Sequence, residues 1–295
     1  ARRIDRQWDA EIVPQLVEYV RLPAKSPHFD PDWEKNGHIE AAIQQARRWV
    51  EAQGVKGLGL EIVRIAGRHG AVVYPISRGR NWGYGDACAP TPGAAIVDLS
   101  RMNQILEVNT ELAYAVIQPG VTQGQLYEYL AEHETGLWMD STGAGPEASL
   151  VGNTLDRGFG HTRYGDHFET CCGMEVVLAA GRQLEAGFGH FANAKAGRVY
   201  RYGVGPCLDG IFCQSNFGIV TKIGLWLMPQ PEAFCFFFCT VKEDGDLERL
   251  IDALRPFRLR RMLDSAIHIG NDLRVLSSRI HYPWESAGEL GALPE

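Results

Sequence analysis

Pro75-Ile-Ser-Arg-Gly-Arg-Asn-Trp-Gly-Tyr-Gly85 is the stretch on which the reading of this chain turns. The run before it, Ala71-Val-Val-Tyr74, is short and apolar, the pattern of a buried strand. The chain then enters a loop with three glycines, two arginines, a serine and an asparagine in nine residues. Glycine admits positive φ and lets the backbone come close to a ligand. Successive N–H groups in such a loop form a concave anion site, for which a pyrophosphate is the natural guest. Arg78 and Arg80 either add positive charge there or face solvent. From this segment alone, a phosphate nest and a plain surface turn both stay open.

The surrounding composition narrows the class. A chain of 295 residues with 45% hydrophobic and 22% charged residues can bury a core, and its length suggests about two domains. Its 33 glycines gather between residues 54 and 224 without forming a low-complexity tract, which points to tight turns and ligand loops. A net charge of −7 with no basic run argues against nucleic acid as a partner. No apolar stretch reaches the ~20 residues of a membrane helix, and Ala1-Arg-Arg-Ile-Asp-Arg-Gln-Trp8 lacks the apolar centre of a signal peptide. Seven cysteines, an odd number without metal-type spacing, read as buried free thiols in a reducing compartment. The expectation is a cytoplasmic protein with no membrane partner.

Before the loop, residues 9–22 carry Ile12, Val13, Leu16, Val17 and Val20 at helical spacing, with Pro14 in the first turn. A second helix is predicted from about Gly37 to Gln53, and Leu58–Ile65 alternates like a strand. This opening resembles the N-terminal segment of the M20 metallopeptidase family through Ile12–Val20, Ser26–Trp33 and Leu60–Arg68. That family needs a His-x-Asp motif and further ligands for two metals, and none follows here. His28, Asp30 and Asp32 do not form such a set, so no metal site is expected and the segment reads as scaffold.

After the loop, 94–99 and 113–118 read as strands, with Asn103–Val108 as a link. A helix is predicted over Val121–His133, opening at Thr122. The short apolar Leu137–Asp140 leads into a second glycine-rich bend, Ser141-Thr-Gly-Ala-Gly145, and a helical turn starting at Ser149. Small residues at that turn leave N–H donors for anionic or carbonyl oxygens. Gly152 allows close approach of something flat, which Asn153 and Thr154 can bond. A long surface loop is the plainer alternative, although loops of this length are usually functional or disordered. Gly173–Glu185 reads as a hairpin turning at Ala180-Gly181, Leu208–Ser215 as a short helix and Gly218–Met228 as a strong strand. Phe234–Val241 is strand-like, and Asp246–Leu254 is an amphipathic helix.

Four words in order, Pro75–Gly85, Gly152–Gly160 with Tyr164–His167, Gly173–Leu178 and Gln214–Lys222, resemble the vanillyl-alcohol oxidase / 4-cresol dehydrogenase family of flavoproteins. The resemblance runs from residue 71 to about 280. It implies an α+β chain: a PCMH-type FAD-binding domain of two α/β subdomains over 70–229, and the start of an incomplete cap domain over 230–295. The M20-like helical segment, 1–69, precedes them, and the chain is expected to be truncated. The resemblance implies FAD as cofactor. It places the pyrophosphate against Pro75, Ile76, Ser77, Arg78, Gly79, Arg80 and Asn81. The rest of the flavin falls against Thr142, Gly143, Ala144, Gly145, Ser149, Gly152, Asn153, Asp156, Gly158, Gly160 and His161, with Ile219 and Val220 near it.

The implied activity is oxidation of a para-substituted phenol by hydride transfer to flavin N5, with electrons passing to O₂ or a cytochrome partner. A homodimer is left open. In the family a tyrosine at the position of Tyr84 binds the phenol oxygen and favours its phenolate, so Tyr84 is the expected catalytic residue; a packing role is the alternative. His161, Tyr164 and His167 either line the same region or make structural hydrogen bonds. The pattern also departs from the family. Oxidases of vanillyl-type alcohols carry an aspartate near N5 where Ala144 stands, and Asp140 lies four residues upstream. A cresol-dehydrogenase-like reaction without that carboxylate therefore fits better. The alternatives are a non-catalytic remnant of such a flavoprotein and, more weakly, an M20-type metallohydrolase.

Overall fold

A computed structural model describes residues 58–80, 87–263, 265 and 267–277, with isolated positions between 14 and 45. It divides into two units, 1–59 and 60–295. In the first, the described residues Pro14, Val17, Glu18 and Arg21 are helical, and Trp33–Asn36 forms a helical turn. Most of the M20-like words before residue 58, including His28 and Asp30, lie outside the described residues, as does most of the helix expected from Gly37 to Gln53.

The second unit opens with α1 (Leu58–His69), where alternation suggested a strand. Ile62, Val63, Ile65 and Ala66 satisfy a helical period as well as a period of two, and the helix is what buries Val63 against Leu99, Val177 and Ile219. Its end is a Schellman motif. Gly70 takes φ +63°, while Ala71 N–H donates to Ala66 O at 2.9 Å and Gly70 N–H to Gly67 O at 3.4 Å. Arg68 and His69 sit favourably at the negative end of the helix dipole.

β1 (Val73–Ile76) and β2 (Ala95–Asp98) form a two-stranded parallel sheet. Parallel strands need a long crossover, and residues 77–94, which include the glycine-arginine loop, provide it. β3 (Ile105–Asn109) is a strand where a link was expected. It pairs antiparallel with β4 (Tyr114–Ile117) across a turn in which Asn109 Oδ1 accepts from Leu112 N–H at 2.8 Å. α2 (Gln123–Glu132) is capped by Thr122, whose hydroxyl accepts from Gln125 N–H at 3.0 Å. Next come β5 (Leu137–Trp138), α3 (Leu150–Leu155), β6 (Cys171–Leu178), β7 (Gln183–Glu185), β8 (Gly218–Trp226) and β9 (Met228–Pro229).

The central sheet is antiparallel, in the order β3-β4-β8-β6-β7. Period-two alternation gives it two buried faces. Val176 and Val220 join Ile117, Leu126, Val151, Met174 and Ile223 in the main core. Their neighbours Val177 and Ile219 point the other way, into the cluster with Val63 and Leu99. Leu208–Ser215 contributes only a 3₁₀ turn, Asp209–Phe212. Phe234–Val241 is not a strand; it is irregular, and Phe236, Phe237 and Phe238 are exposed. Consecutive aromatics without alternation supply no face to bury, and among the described residues no strand pairs with them. α4 (Gly245–Leu259) and α5 (Asp272–Ser277) follow. All seven cysteines are free, but four of them (Cys88, Cys207, Cys235 and Cys239) are exposed rather than buried.

The outer end of the sheet carries a charged cluster. Lys222 on β8 reaches Glu175 on β6 and Glu185 on β7, both at 2.8 Å, and Thr221 Oγ1 donates to Glu175 Oε1 at 2.6 Å. Burial alone would raise the Glu175 pKa, but the bonds from Lys222 and Thr221 hold it below the usual carboxylate range. Burial works against the Lys222 charge too, yet the two carboxylates raise its pKa. Glu175 therefore stabilises the fold above the ordinary carboxylate pKa, and this is lost as pH falls through its lowered value. Lys222 stabilises below the ordinary lysine pKa and loses this as pH rises through its raised one. Lys222→Met should cost roughly 1–3 kcal/mol, the buried-pair penalty discounted for partial exposure. In thermal unfolding the loss should be largest between these limits and shrink towards pH 3; a loss that does not depend on pH would contradict the assignment.

Candidate functional site

The glycine-arginine loop leaves β1 at Ile76 and turns at Gly79. Gly79 has φ +64°, and a Cβ there would lie 3.3 Å from the Ala87 methyl, so conformation and space both call for glycine. Ser77 meets α3: a Cβ on Gly152 would overlap Ser77 Oγ. Arg78 Nη2 pairs with Glu147 Oε2 at 2.8 Å, with its side chain 26% exposed. The two glycine-rich bends, 69 residues apart at this ion pair, are thus in contact. Glu147 takes part of the Arg78 charge, while Arg80 is exposed. Asn81 and Tyr84 lie outside the described residues.

The second bend is held by a residue that the sequence did not single out. Gln123, buried on the first turn of α2, donates from Nε2 to Thr142 O at 3.1 Å and to Gly145 O. Its Oε1 accepts from Thr142 N–H at 3.0 Å. These bonds fix Thr142–Gly145 as a rigid turn, with Gly145 at φ +88°. A glutamine after an N-cap looks like an ordinary helix residue, so no sequence signal marked it. Ser149 donates to Pro119 O at 2.6 Å and accepts from Gly152 N–H at 2.9 Å. The first turn of α3 therefore uses its own serine as cap, and the Gly152 N–H expected to be free is occupied.

Other expected contacts also turn inward. Asn153 Oδ1 lies 2.5 Å from His167 Nδ1. Gly158 packs on the Asn153 amide, and Gly160 on the Asp140 carboxylate. Asp156 caps the end of α3 and is exposed. Ile219 and Val220 are core residues on opposite faces of β8. His161 is exposed and packs beside Phe159 and His268, with imidazole centroids 5.5 Å apart. Asp140, four residues before Ala144, is 8% exposed. Its Oδ1 accepts from Ser141 N–H at 2.6 Å, and its Oδ2 from Thr162 N–H at 3.2 Å and Oγ1–H at 2.9 Å. Burial would raise its pKa, but His167 and Thr162 outweigh that and lower it. So engaged, Asp140 is no base for a substrate.

What these residues can hold follows from their shape. Glycines stand where the walls come closest, Ser77 and Arg78 line one bend, and the carbonyl-anchored Thr142–Gly145 turn forms the other. These walls are made of small residues and main-chain groups, and the one charge on them, Arg78, is paired with Glu147. Among the described residues no three or more His, Cys, Asp or Glu are grouped to bind a metal.

Comparison with known proteins agrees with this shape. Residues 60–187 match the family described as FAD binding domain. The chain is 41% identical over 233 residues to the 1'-carboxy-chondrochloren decarboxylase of Chondromyces crocatus, covering 79% of this chain and 43% of that protein. It is 39% identical over 261 residues to the 4-cresol dehydrogenase [hydroxylating] flavoprotein subunit of Pseudomonas putida, covering 88% and 47%. The crystal structure of p-cresol methylhydroxylase with substrate bound superposes with a TM-score of 0.66 at 40% identity, over 70% of this chain and 40% of that one. The chain thus spans less than half the length of the curated relatives it matches.

Proposed function

From the match of residues 60–187 to that FAD binding domain family, we propose that the chain serves an FAD-dependent oxidation of para-substituted phenols. The observation that carries the reading is the contact of the two glycine-rich bends, Ser77 against Gly152, where a single added carbon would already overlap the serine hydroxyl. In this reading residues 75–81 hold the pyrophosphate, with Thr142–Gly145 and Gly152 facing the rest of the cofactor. FAD, when bound, supplies the hydride acceptor that no side chain can provide.

The protein's own part is position and electrostatics. Tyr84 hydrogen-bonds the phenol oxygen and favours its ionised form, which feeds electrons towards the benzylic carbon as hydride leaves. Ala144 brings no carboxylate to that carbon, and Asp140 is engaged elsewhere, so an alkylphenol of the 4-cresol type suits the site better than a benzylic alcohol. Electrons then leave to O₂ or to a cytochrome partner. A second reading comes from the decarboxylase relative at 41% identity: the same site would take a carboxylated phenol, break its C–C bond to release CO₂ and return a proton from water to that carbon.

Anaerobic mixing with 4-cresol, vanillyl alcohol or a para-hydroxyphenyl carboxylate, followed by the blue absorbance of the flavin and by CO₂ release, separates these readings. Bleaching by 4-cresol is expected, and a protein that takes up no FAD would end the proposal. Tyr84→Phe should slow bleaching about tenfold or more at unchanged FAD content, in line with the 10²–10³-fold seen for oxyanion donors elsewhere. Unchanged kinetics would remove Tyr84 from the mechanism.

A further inference from the structure

A cavity of about 10 Å³, room for one water, lies between α3 and the central sheet, lined by Asp140, Thr154, His167, Thr170 and Trp226 among others. His167 is 4% exposed. Its Nδ1 faces Asn153 Oδ1 at 2.5 Å. Its Nε2 is buried without a hydrogen-bond partner and stands 3.8 Å from Asp140 Oδ1. That separation is too long for a direct hydrogen bond. A buried ring nitrogen with no partner is costly, and a water in the adjoining cavity can meet it, with Asp140 and the threonine hydroxyls as further partners.

The chain Asn153–His167–Asp140 joins the segments that form the proposed flavin walls. Asn153 belongs to α3, next to Gly152. Asp140 binds Ser141 N–H at the start of the second bend and Thr162 in the loop that follows. Gly158 and Gly160 leave room for the Asn153 and Asp140 side chains. His167 itself is shut inside the protein, so it can act only through these neighbours.

We propose that His167, linked to Asp140 through one buried water and directly to Asn153, is a positioning residue that sets the spacing of α3 and the second glycine-rich bend in the flavin site. This rests on the flavin reading above. Two variants cut the relay at different ends. His167→Asn can keep a polar group at Nδ1 for Asn153 but loses the Asp140 side. His167→Gln can keep one at Nε2 but loses Asn153. Each should weaken FAD binding about tenfold, the scale of one lost hydrogen bond, and His167→Ala about a hundredfold. The visible circular dichroism of bound flavin should change in each, which a loss of stability alone would not produce.

FAD titration of the wild type comes first. No uptake there overturns the flavin reading and this inference together. Wild-type binding with unchanged affinity and dichroism in both His167 variants overturns this inference alone. Should the variants not fold, the wild type decides: with ¹⁵N-labelled histidine, the His167 ring signals should move on addition of FAD, and unmoved signals would refute the positioning role.

Discussion

Gly152→Val should yield a folded but colourless protein, with FAD affinity reduced a hundredfold or more relative to the yellow wild type. The first added carbon would already overlap Ser77 Oγ. A serine hydroxyl can rotate aside, so Gly152→Ala should be milder. Valine adds two further methyls and a stiff χ1, which leaves Ser77 no free rotamer. α3 cannot retreat, because Leu150, Val151 and Thr154 anchor its other face in the core. The pyrophosphate loop must move instead, and with it the Arg78–Glu147 pair. Removing a helix glycine favours the fold by roughly 0.5–1 kcal/mol, while the overpacking against Ser77 costs about 1–3 kcal/mol, a net loss that a typical fold survives. The flavin-to-protein ratio after gel filtration is the measurement. A yellow Gly152→Val protein would mean that the loop and α3 do not grip the cofactor.

Gly120→Val should have the largest effect on stability. A Cβ at Gly120 would collide with the Ser100 carbonyl and lie 2.9 Å from Met102 O. Both are main-chain atoms and cannot swing away. Gly120 N–H also donates to Met102 O at 2.7 Å, so separating the segments breaks a bond as well. Overpacking of this kind belongs to the severe class, on the order of 3–5 kcal/mol of a typical 5–15. At about 2–4 °C per kcal/mol, the melting temperature should fall by roughly 6–20 °C. Gly136→Ala is the control: open space surrounds it, and only its φ of +65° opposes a side chain. It should cost about 1–2 kcal/mol. Equal losses at the two sites would show that close approach is not what requires Gly120.

Much of this architecture was legible because local chemistry and tertiary context agree. Thr122 both caps α2 and precedes its apolar face, Ala180-Gly181 turns a hairpin between two periodic strands, and β8 is long and β-branched. The reading failed where they diverge. Ile62, Val63 and Ile65 fit two periods at once, and only burial against Leu99 and Ile219 decides for a helix. Residues 103–108 looked like a link because Asn103, Gln104 and Glu107 dilute the pattern, yet β4 offered an edge to pair with. Phe234–Val241 had strand composition but no neighbouring edge. In the site, glycines announced both bends, since positive φ and close approach leave a trace in residue type. His167 was legible as a structural hydrogen-bonder and Asp140 only by its place in the chain, while Gln123 left no trace, because its role depends on which carbonyls the fold brings to it.

The parallel pair β1–β2 has a bearing on the protein's lifetime. It is a ladder of only two strands, held to the rest through a small cluster around Val63, Leu99, Val177 and Ile219. Contacts this sparse make local opening of the pair easy, and it carries the loop proposed to hold the pyrophosphate. An easily opened corner and the proposed ligand-holding corner are therefore one. A bound ligand at a hundred times its dissociation constant adds about 2.7 kcal/mol against opening, so cellular cofactor supply would govern how long this corner withstands proteases.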